Sequence, residues 1–546
     1  MKNEITPTRW LVDCLFLLFA LTLYGINIYY LTNADSAPPM WDEAVHLRDS
    51  LVFHNILSNP SQINLKVVRD IIGKSEKYPL IRPSGYYPPF APILTSFLYC
   101  LFGTPVKVAI MSNMVFLFIL ILSIYKIGTL MFNRHAGLLA CVLILLFPLV
   151  LSQSVLYMPD LPLTSMVAFS MFTLIKSDYF KNTKFSIISG LSFGLGMLTK
   201  WTYLFFVLGP IFYAVFKAFY SESSQQYGVK EPWYLRKSLR NIILFVIISI
   251  VTFGPYYFPI LPALIEETFK YSHGALAHGP DSLFSFASAL FYPVALWKDM
   301  ITPFGFILFI IGMVLLSLSK SGYKTLLFVW TLVPYFIFTF VIQNKVPRYM
   351  MPWLTPISLI ICFCISKIAS INVLGGSIKL ERYAIFLSLI IFAIFFSEED
   401  LRLTNSIINS SEENWKINEM VSVLEENMVK SKTNHSTQIP MYLGVIPDHY
   451  YINGQTLRYY VTLRELPLNV IKLQNYTGTA FEEFVEKFHR YDYILTKSSS
   501  NIEVTSFQQS IDDMNKFFYS HKDDFEPLKT FHEPDGSDVS IFKRKY

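Results

Sequence analysis

Adjacent carboxylates follow the first apolar run of the chain, in Pro-Pro-Met-Trp-Asp-Glu-Ala-Val-His, residues Pro38 to His46. Asp42 and Glu43 open an amphipathic, helix-like run to Leu57, where a carboxylate can take the proton of an acceptor hydroxyl in a transition state. The competing reading is that they only complement the positive end of the helix dipole. Asp160, in Met-Pro-Asp-Leu-Pro, reads either as the N-cap of the next helix or as a further functional acid. Lys200, in Leu-Thr-Lys-Trp, and Arg348, in Val-Pro-Arg-Tyr-Met-Met-Pro, are cations at the ends of apolar runs. Each reads as a snorkelling anchor or as a functional group, and the planar guanidinium of Arg348 is a fork suited to phosphate. His273 and His278, five apart with glycine neighbours, suit a metal or a sugar hydroxyl, or are solvated loop histidines. Tyr86 and Tyr87 precede Pro88 and Pro89, where aromatics ordinarily form an interfacial belt.

The elements that must hold these groups are apolar. Of 546 residues, 53% are hydrophobic, 16% aromatic and 16% charged, and the mean hydropathy is +0.40. Soluble domains carry about a quarter of their residues as charges, so an ordinary soluble enzyme is excluded. The net charge of +5 fits basic cytoplasmic loops better than nucleic-acid binding. Cys14, Cys100, Cys141, Cys362 and Cys364 lie in or beside apolar segments and show no disulfide framework or zinc spacing. Leu11 to Leu31 is long enough to cross a bilayer, follows Lys2 and Arg9, and lacks a small-residue cleavage site, so it reads as a retained first span. Further candidate spans run at roughly 106 to 130, 136 to 157, 160 to 176, 185 to 199, 201 to 219, 240 to 261, 301 to 319, 324 to 342, 349 to 367 and 382 to 397. Pro88 to Phe102 and Leu283 to Trp297 are shorter and suit interfacial or re-entrant helices, giving about eleven spans, or up to about 13 if both cross.

Parity assigns the sides. With a cytoplasmic N-terminus and eleven spans, the clusters from Lys126 to Arg134, Lys176 to Lys184, Lys217 to Arg240, Lys320 to Lys324 and Lys367 to Arg382 all fall inside. The first loop, residues 32 to 105, and the region 398 to 546 then fall outside the cytoplasm. Residues 1–397 are expected to form the transmembrane unit. In 398–546 the apolar runs shorten to strand length, as in Met441 to Ile446 and Tyr491 to Thr496, with amphipathic stretches between, which predicts a soluble α/β domain. Asp42, Asp160, Lys200 and Arg348 all fall at the non-cytoplasmic side, which anchoring alone does not explain.

The ordered set of Trp-Asp-Glu, a Pro-Pro segment, a Pro-Asp turn, a Leu-Thr-Lys junction and Pro-Arg-Tyr-Met-Met-Pro resembles the GT-C superfamily of membrane glycosyltransferases. The branch it is similar to contains protein O-mannosyltransferases and the lipid A aminoarabinose transferase, and the resemblance covers about residues 10 to 400. It implies a GT-C fold and a sugar delivered on a polyprenyl phosphate, transferred with inversion to a glycan, lipid or protein acceptor on the extracytoplasmic face of a cell membrane, bacterial inner membrane by expectation. It implies Asp42 as the catalytic carboxylate with Glu43 beside it. Asp160, Lys200, Arg348 and Tyr349 would shape the donor-phosphate and acceptor cavity, with His46, Tyr87, His273 and His278 as further candidates. Where the family often has Lys or His before the Pro-Pro pair this chain has Tyr87, so a phosphate contact there must come from elsewhere. A divalent metal is left open by the spacing of Asp42, Glu43 and the histidines.

A lipid phosphate needs charge neutralisation more than protonation to leave, so one carboxylate suffices as base. Arg348→Ala or Lys200→Ala is then expected to weaken donor binding more than folding. A transporter or lipid flippase is the alternative, but it would place its charges near the midplane, often in paired repeats. A membrane-anchored binding module would need only one span.

Overall fold

The computed structural model describes residues 7–59, 87–223, 237–273, 282–369, 380–432, 441–473, 480–498 and 508–545. A helix stands at each of the eleven predicted span positions. Among the described residues four helices are long and apolar enough to cross a membrane: Leu11–Ala34, Val106–Met131, Lys237–Pro262 and Pro347–Ile368. Arg134–Leu145 and Pro148–Ser154 make a fifth if the pair, bent by 60° at Pro148, is one span. The re-entrant piece opened by Pro88 and Pro89 is the 13-residue helix Phe90–Phe102.

Small residues set how closely these helices approach. On the helix Thr183–Met197 a Cβ added at Gly190 would lie 2.7 Å from the carbonyl oxygen of Phe245, and one at Gly194 would lie 2.4 Å from Thr252. The small-xxx-small spacing therefore lets this helix meet Lys237–His273 backbone to backbone. The first helix, Pro7–Ala34, is tied to the bundle by Asp13, which accepts from Arg134 Nε at 2.7 Å and from the Tyr125 hydroxyl at 2.5 Å.

The helix beginning at Leu380 runs on to Glu412, past the predicted end of the apolar unit at residue 397. Beyond it lies a five-stranded sheet of order β2-β1-β3-β5-β4. Its strands are β1 (Met441–Val445), β2 (Leu468–Lys472), β3 (Tyr493–Lys497), β4 (Phe525–His532) and β5 (Asp538–Arg544). The first three are parallel, and β5 pairs antiparallel with both β3 and β4. Alternate residues feed two cores. Leu443, Val445, Tyr493 and Leu495 pack under Ile417–Lys432 and Gly454–Leu463. Ile494 and Phe542 pack on the other face with Phe484, Met514 and Phe518. The period of two thus yields helices on both faces of a mixed sheet, with two parallel and two antiparallel pairings, where the strand-length apolar runs predicted an α/β layer.

Candidate functional site

Asp42 and Glu43 sit in the first turn of the helix Trp41–Ser58, which begins after Pro38, Pro39 and Met40 and has no side-chain N-cap. Their charges meet the helix dipole as the simpler reading requires. The helix buries Ala44, Leu47, Leu51 and Val52, so the first turn is fixed by packing behind it. Successive residues on a helix point about 100° apart, and here the two acids face different partners.

Asp42 accepts from Arg348 Nη2 and from the Tyr87 hydroxyl, each at 3.2 Å, and its side chain stays 45% exposed. Burial of the surrounding surface pushes its carboxyl up, but Arg348, His46 and Lys200 outweigh that and hold it below its ordinary value. Glu43 instead accepts the backbone N–H of Tyr157 at 2.8 Å. Burial raises its carboxyl to about 7, Tyr157 N–H opposing and Asp35 adding to the rise. The acids predicted to act side by side are thus an ionised group open to solvent and a group anchored to the turn before Asp160.

Arg348 and Tyr349 lie on the 3₁₀ turn Pro347–Trp353, kept short by prolines at 347 and 352, the second without the N–H an α-helix needs. That turn packs on the helix Asp160–Lys176. Lys200 lies between the helices Thr183–Met197 and Tyr203–Ser223; its Nζ donates to Asp160 Oδ1 at 2.7 Å and stands 4.8 Å from the Tyr349 ring centroid. Asp160 is fully buried, and its Oδ2 has no partner among the described residues. It is therefore neither a free acid nor a side-chain cap but the buried half of an ion pair. His46 is buried with its ring 4.3 Å from that of Tyr87. Burial, opposed by Asp42, depresses it to about 4, so it is neutral near pH 7. Tyr87 is held in turn by Tyr256, whose hydroxyl donates to its carbonyl at 2.9 Å.

Asp42, His46, Tyr87, Asp160, Lys200, Arg348 and Tyr349 thus converge, although up to 306 residues separate directly bonded partners. His273 ends the helix Lys237–His273, and His278 and Tyr86 lie outside the described residues. Among the described residues no three His, Cys, Asp or Glu side chains are grouped to hold a metal ion.

Sequence reading missed three contributors. Tyr157 presents its N–H to Glu43 and joins its hydroxyl to Ser50 and Thr95, each at 2.8 Å, bonding the carboxylate-bearing helix to Phe90–Phe102. Tyr256 was hidden inside an apolar helix. Asp448, from the α/β domain, accepts from Trp41 Nε1 at 3.3 Å and lies 3.7 Å from Lys472 Nζ. Trp41 also packs 4.5 Å from the Tyr450 ring, and Thr456 donates to the Pro39 carbonyl at 3.0 Å. The α/β domain therefore grips the residue immediately before Asp42. Asp448→Ala is expected to red-shift Trp41 emission, because the indole loses its hydrogen-bond partner; an unchanged spectrum would show that the contact positions nothing.

Comparison with known proteins gives two independent findings. Residues 87–249 match the family model described as dolichyl-phosphate-mannose-protein mannosyltransferase. No curated protein matches the chain in sequence. The fold is similar to ArnT from Cupriavidus metallidurans bound to undecaprenyl phosphate, with a TM-score of 0.58 at 12% identity over 98% of both chains. It is also similar to the Archaeoglobus fulgidus oligosaccharyltransferase tethered to an acceptor peptide, with a TM-score of 0.54 at 12% identity over 97% of this chain and 74% of that one. The mycobacterial arabinofuranosyltransferase AftD matches with a TM-score of 0.54 at 13% identity over 96% of this chain and 40% of that one. The resemblance to GT-C membrane glycosyltransferases, in the branch with ArnT and the protein O-mannosyltransferases, is borne out.

Proposed function

We propose that this chain moves a sugar from a polyprenyl-phosphate donor to an acceptor hydroxyl or amine on the extracytoplasmic face of a membrane, with inversion, and that Asp42 is the base. The observation that carries this reading is one ionised carboxylate, open to solvent, 3.2 Å from a guanidinium. The base removes the acceptor proton as the acceptor atom bonds to the anomeric carbon. The bond from that carbon to the phosphate oxygen breaks, and the lipid phosphate departs with both electrons. Arg348 neutralises the charge that develops on it, with Lys200 behind the Tyr349 ring adding to the field. The cationic phosphate contact expected where the family often has Lys or His is thus assigned to Arg348. Donor binding has a second effect on this geometry: a phosphate drawing on Arg348 weakens its hold on Asp42, so the carboxylate becomes a stronger base only when the donor is present.

The membrane unit is assigned to residues 1–397, with its span count and orientation as the charges imply, and the α/β unit to the acceptor side, where its grip on Trp41 fits acceptor selection. Neither the family nor the matched structures support the transporter reading; all are glycosyltransferases. The direct test is transfer from a synthetic polyprenyl-phosphate sugar by purified protein in lipid, with radiolabelled sugar followed into an acceptor extract. Appearance of polyprenyl phosphate with no glycosylated product, or solute movement without either, would refute the reading.

Glu43 gives a separable pH test. Its carboxyl titrates near 7 in the folded protein against about 4.5 unfolded. Because the folded value is the higher, the stability it contributes is complete below the unfolded value and is lost as pH rises through about 7. Glu43→Gln keeps an acceptor for Tyr157 N–H and cannot ionise. It is expected to keep transfer within a few-fold and to flatten the fall in stability between about pH 4.5 and 7. A loss as deep as that of Asp42→Asn would make Glu43 the base instead.

A further inference from the structure

The helices Asp160–Lys176 and Thr183–Met197 run away from the Asp160–Lys200 pair and back towards it. At about 1.5 Å per residue, Lys176 stands roughly 24 Å from Asp160 along the first helix, and no charge lies between them. At that far end is an open depression of about 400 Å³ lined, among the described residues, by Lys176, Lys181, Lys184, Lys237, Asn182 and Thr183, with Asp178 the single acid among them. The turn that gathers three of those lysines is unusual. Asp178, Tyr179 and Phe180 have successive φ angles of 48°, 53° and 68°, a left-handed run without glycine, which costs of order 1–2 kcal/mol per residue. It is held by Asn241, whose Nδ2 donates to the Phe180 carbonyl at 2.7 Å, and by the Phe180 ring packed 5.3 Å from Phe245.

What adjoins the depression identifies its occupant. Lys184 is followed on the same helix face by Ile187 and Leu191, which are exposed. Lys237 is followed by Arg240 and then by the exposed Ile243, Ile247 and Ile250. These spacings of three and four residues make a cation-headed apolar stripe on each helix. The two helices pack against one another, so the stripes leave the same depression together. A soluble anion would use the lysines and leave the stripes bare; an amphiphile uses both.

We propose that this depression binds the phosphate of an anionic glycerophospholipid, whose acyl chains lie along Ile187, Leu191, Ile243, Ile247 and Ile250, at the end of the bundle remote from Asp42. Basic recesses between spans are favourable sites for such head groups because surface charge and desolvated phosphate reinforce one another. The proposal rests on the membrane reading of these helices and not on the transfer reaction, so its readout is lipid binding.

The test uses the purified full chain in detergent, titrated with dioleoylphosphatidylglycerol or dioleoylphosphatidylcholine and read by native mass spectrometry. One phosphatidylglycerol is expected to be retained about 10- to 100-fold more tightly than phosphatidylcholine. The triple variant Lys176→Gln, Lys184→Gln, Lys237→Gln should bring that ratio to within about threefold. Thr183→Trp, which fills the depression and keeps every lysine, should do the same; thermal unfolding of both variants checks that the fold persists. Full lipid preference in Thr183→Trp would show diffuse surface charge rather than a site and overturn the proposal. Displacement of the lipid by millimolar inorganic phosphate would overturn it as well, because the acyl stripes would then contribute nothing.

Discussion

Asp42→Asn is expected to lower sugar transfer by about 1,000-fold, within the range that a positioned acid or base contributes, while the protein inserts and unfolds as before. The amide oxygen still accepts from the Arg348 guanidinium or the Tyr87 hydroxyl, so the shape of the site is kept. What disappears is a group that can hold the acceptor proton. The stability cost is small because the Arg348–Asp42 pair is only partly enclosed, with 24% and 45% of the two side chains exposed. Exposed pairs are worth about 0–1 kcal/mol. The effect therefore falls on rate and not on folding, and the two are read separately by labelled-product formation and by thermal unfolding in detergent. Retention of transfer to within tenfold would remove Asp42 from the reaction. The acid limb of kcat/KM, which reports the free enzyme, should also lie below the ordinary carboxylate range, since Arg348 holds the group down there. As pH falls through that depressed value the base is protonated and the rate declines.

The parts of this site that sequence made legible are those that depend on boundaries. Apolar run lengths placed a helix at every predicted span, and a charge at the end of such a run is conspicuous because most of the surroundings carry none. Asp42, Asp160, Lys200 and Arg348 were all found on that basis. What sequence did not reveal is who pairs with whom. Lys200 and Asp160 are 40 residues apart and Arg348 and Asp42 are 306 apart, and pairing at such range is decided by how helices pack. The divergence of Glu43 from Asp42 was in principle visible from the 100° rotation per residue, but its partner, the N–H of Tyr157, has no side-chain signature. The grip of Asp448 on Trp41 spans 407 residues and joins two differently composed regions. The left-handed turn at Asp178 to Phe180 lacks the glycine that usually announces one. The strands of the α/β domain were easier, because alternation feeds two cores and short apolar runs carry that pattern locally.

Lys200→Met should destabilise the protein by about 3–5 kcal/mol, the cost of breaking a buried ion pair by removing one partner. This revises the expectation that Lys200→Ala spares folding, and the reason is burial. Asp160 is fully buried, Lys200 is 9% exposed, and the second Asp160 oxygen has no partner among the described residues. Without the ammonium, Asp160 keeps only the field of Arg348 and loses its directly bonded partner inside a low-dielectric environment, which costs free energy. Arg348→Ala leaves Asp42 partly hydrated instead, so its loss should appear in donor binding with little change in unfolding. The double variant Asp160→Asn, Lys200→Met separates the two roles of Lys200. Removing both charges eliminates the uncompensated acid, so most of the lost stability should return, giving a coupling energy of several kcal/mol in the double-mutant cycle. Donor affinity should not return, because the cation beside the Tyr349 ring is still missing. A stable double variant that also recovers donor binding would show that Lys200 only balances Asp160. A single variant Lys200→Met that unfolds like the wild type would instead show that the ion pair contributes nothing to the fold.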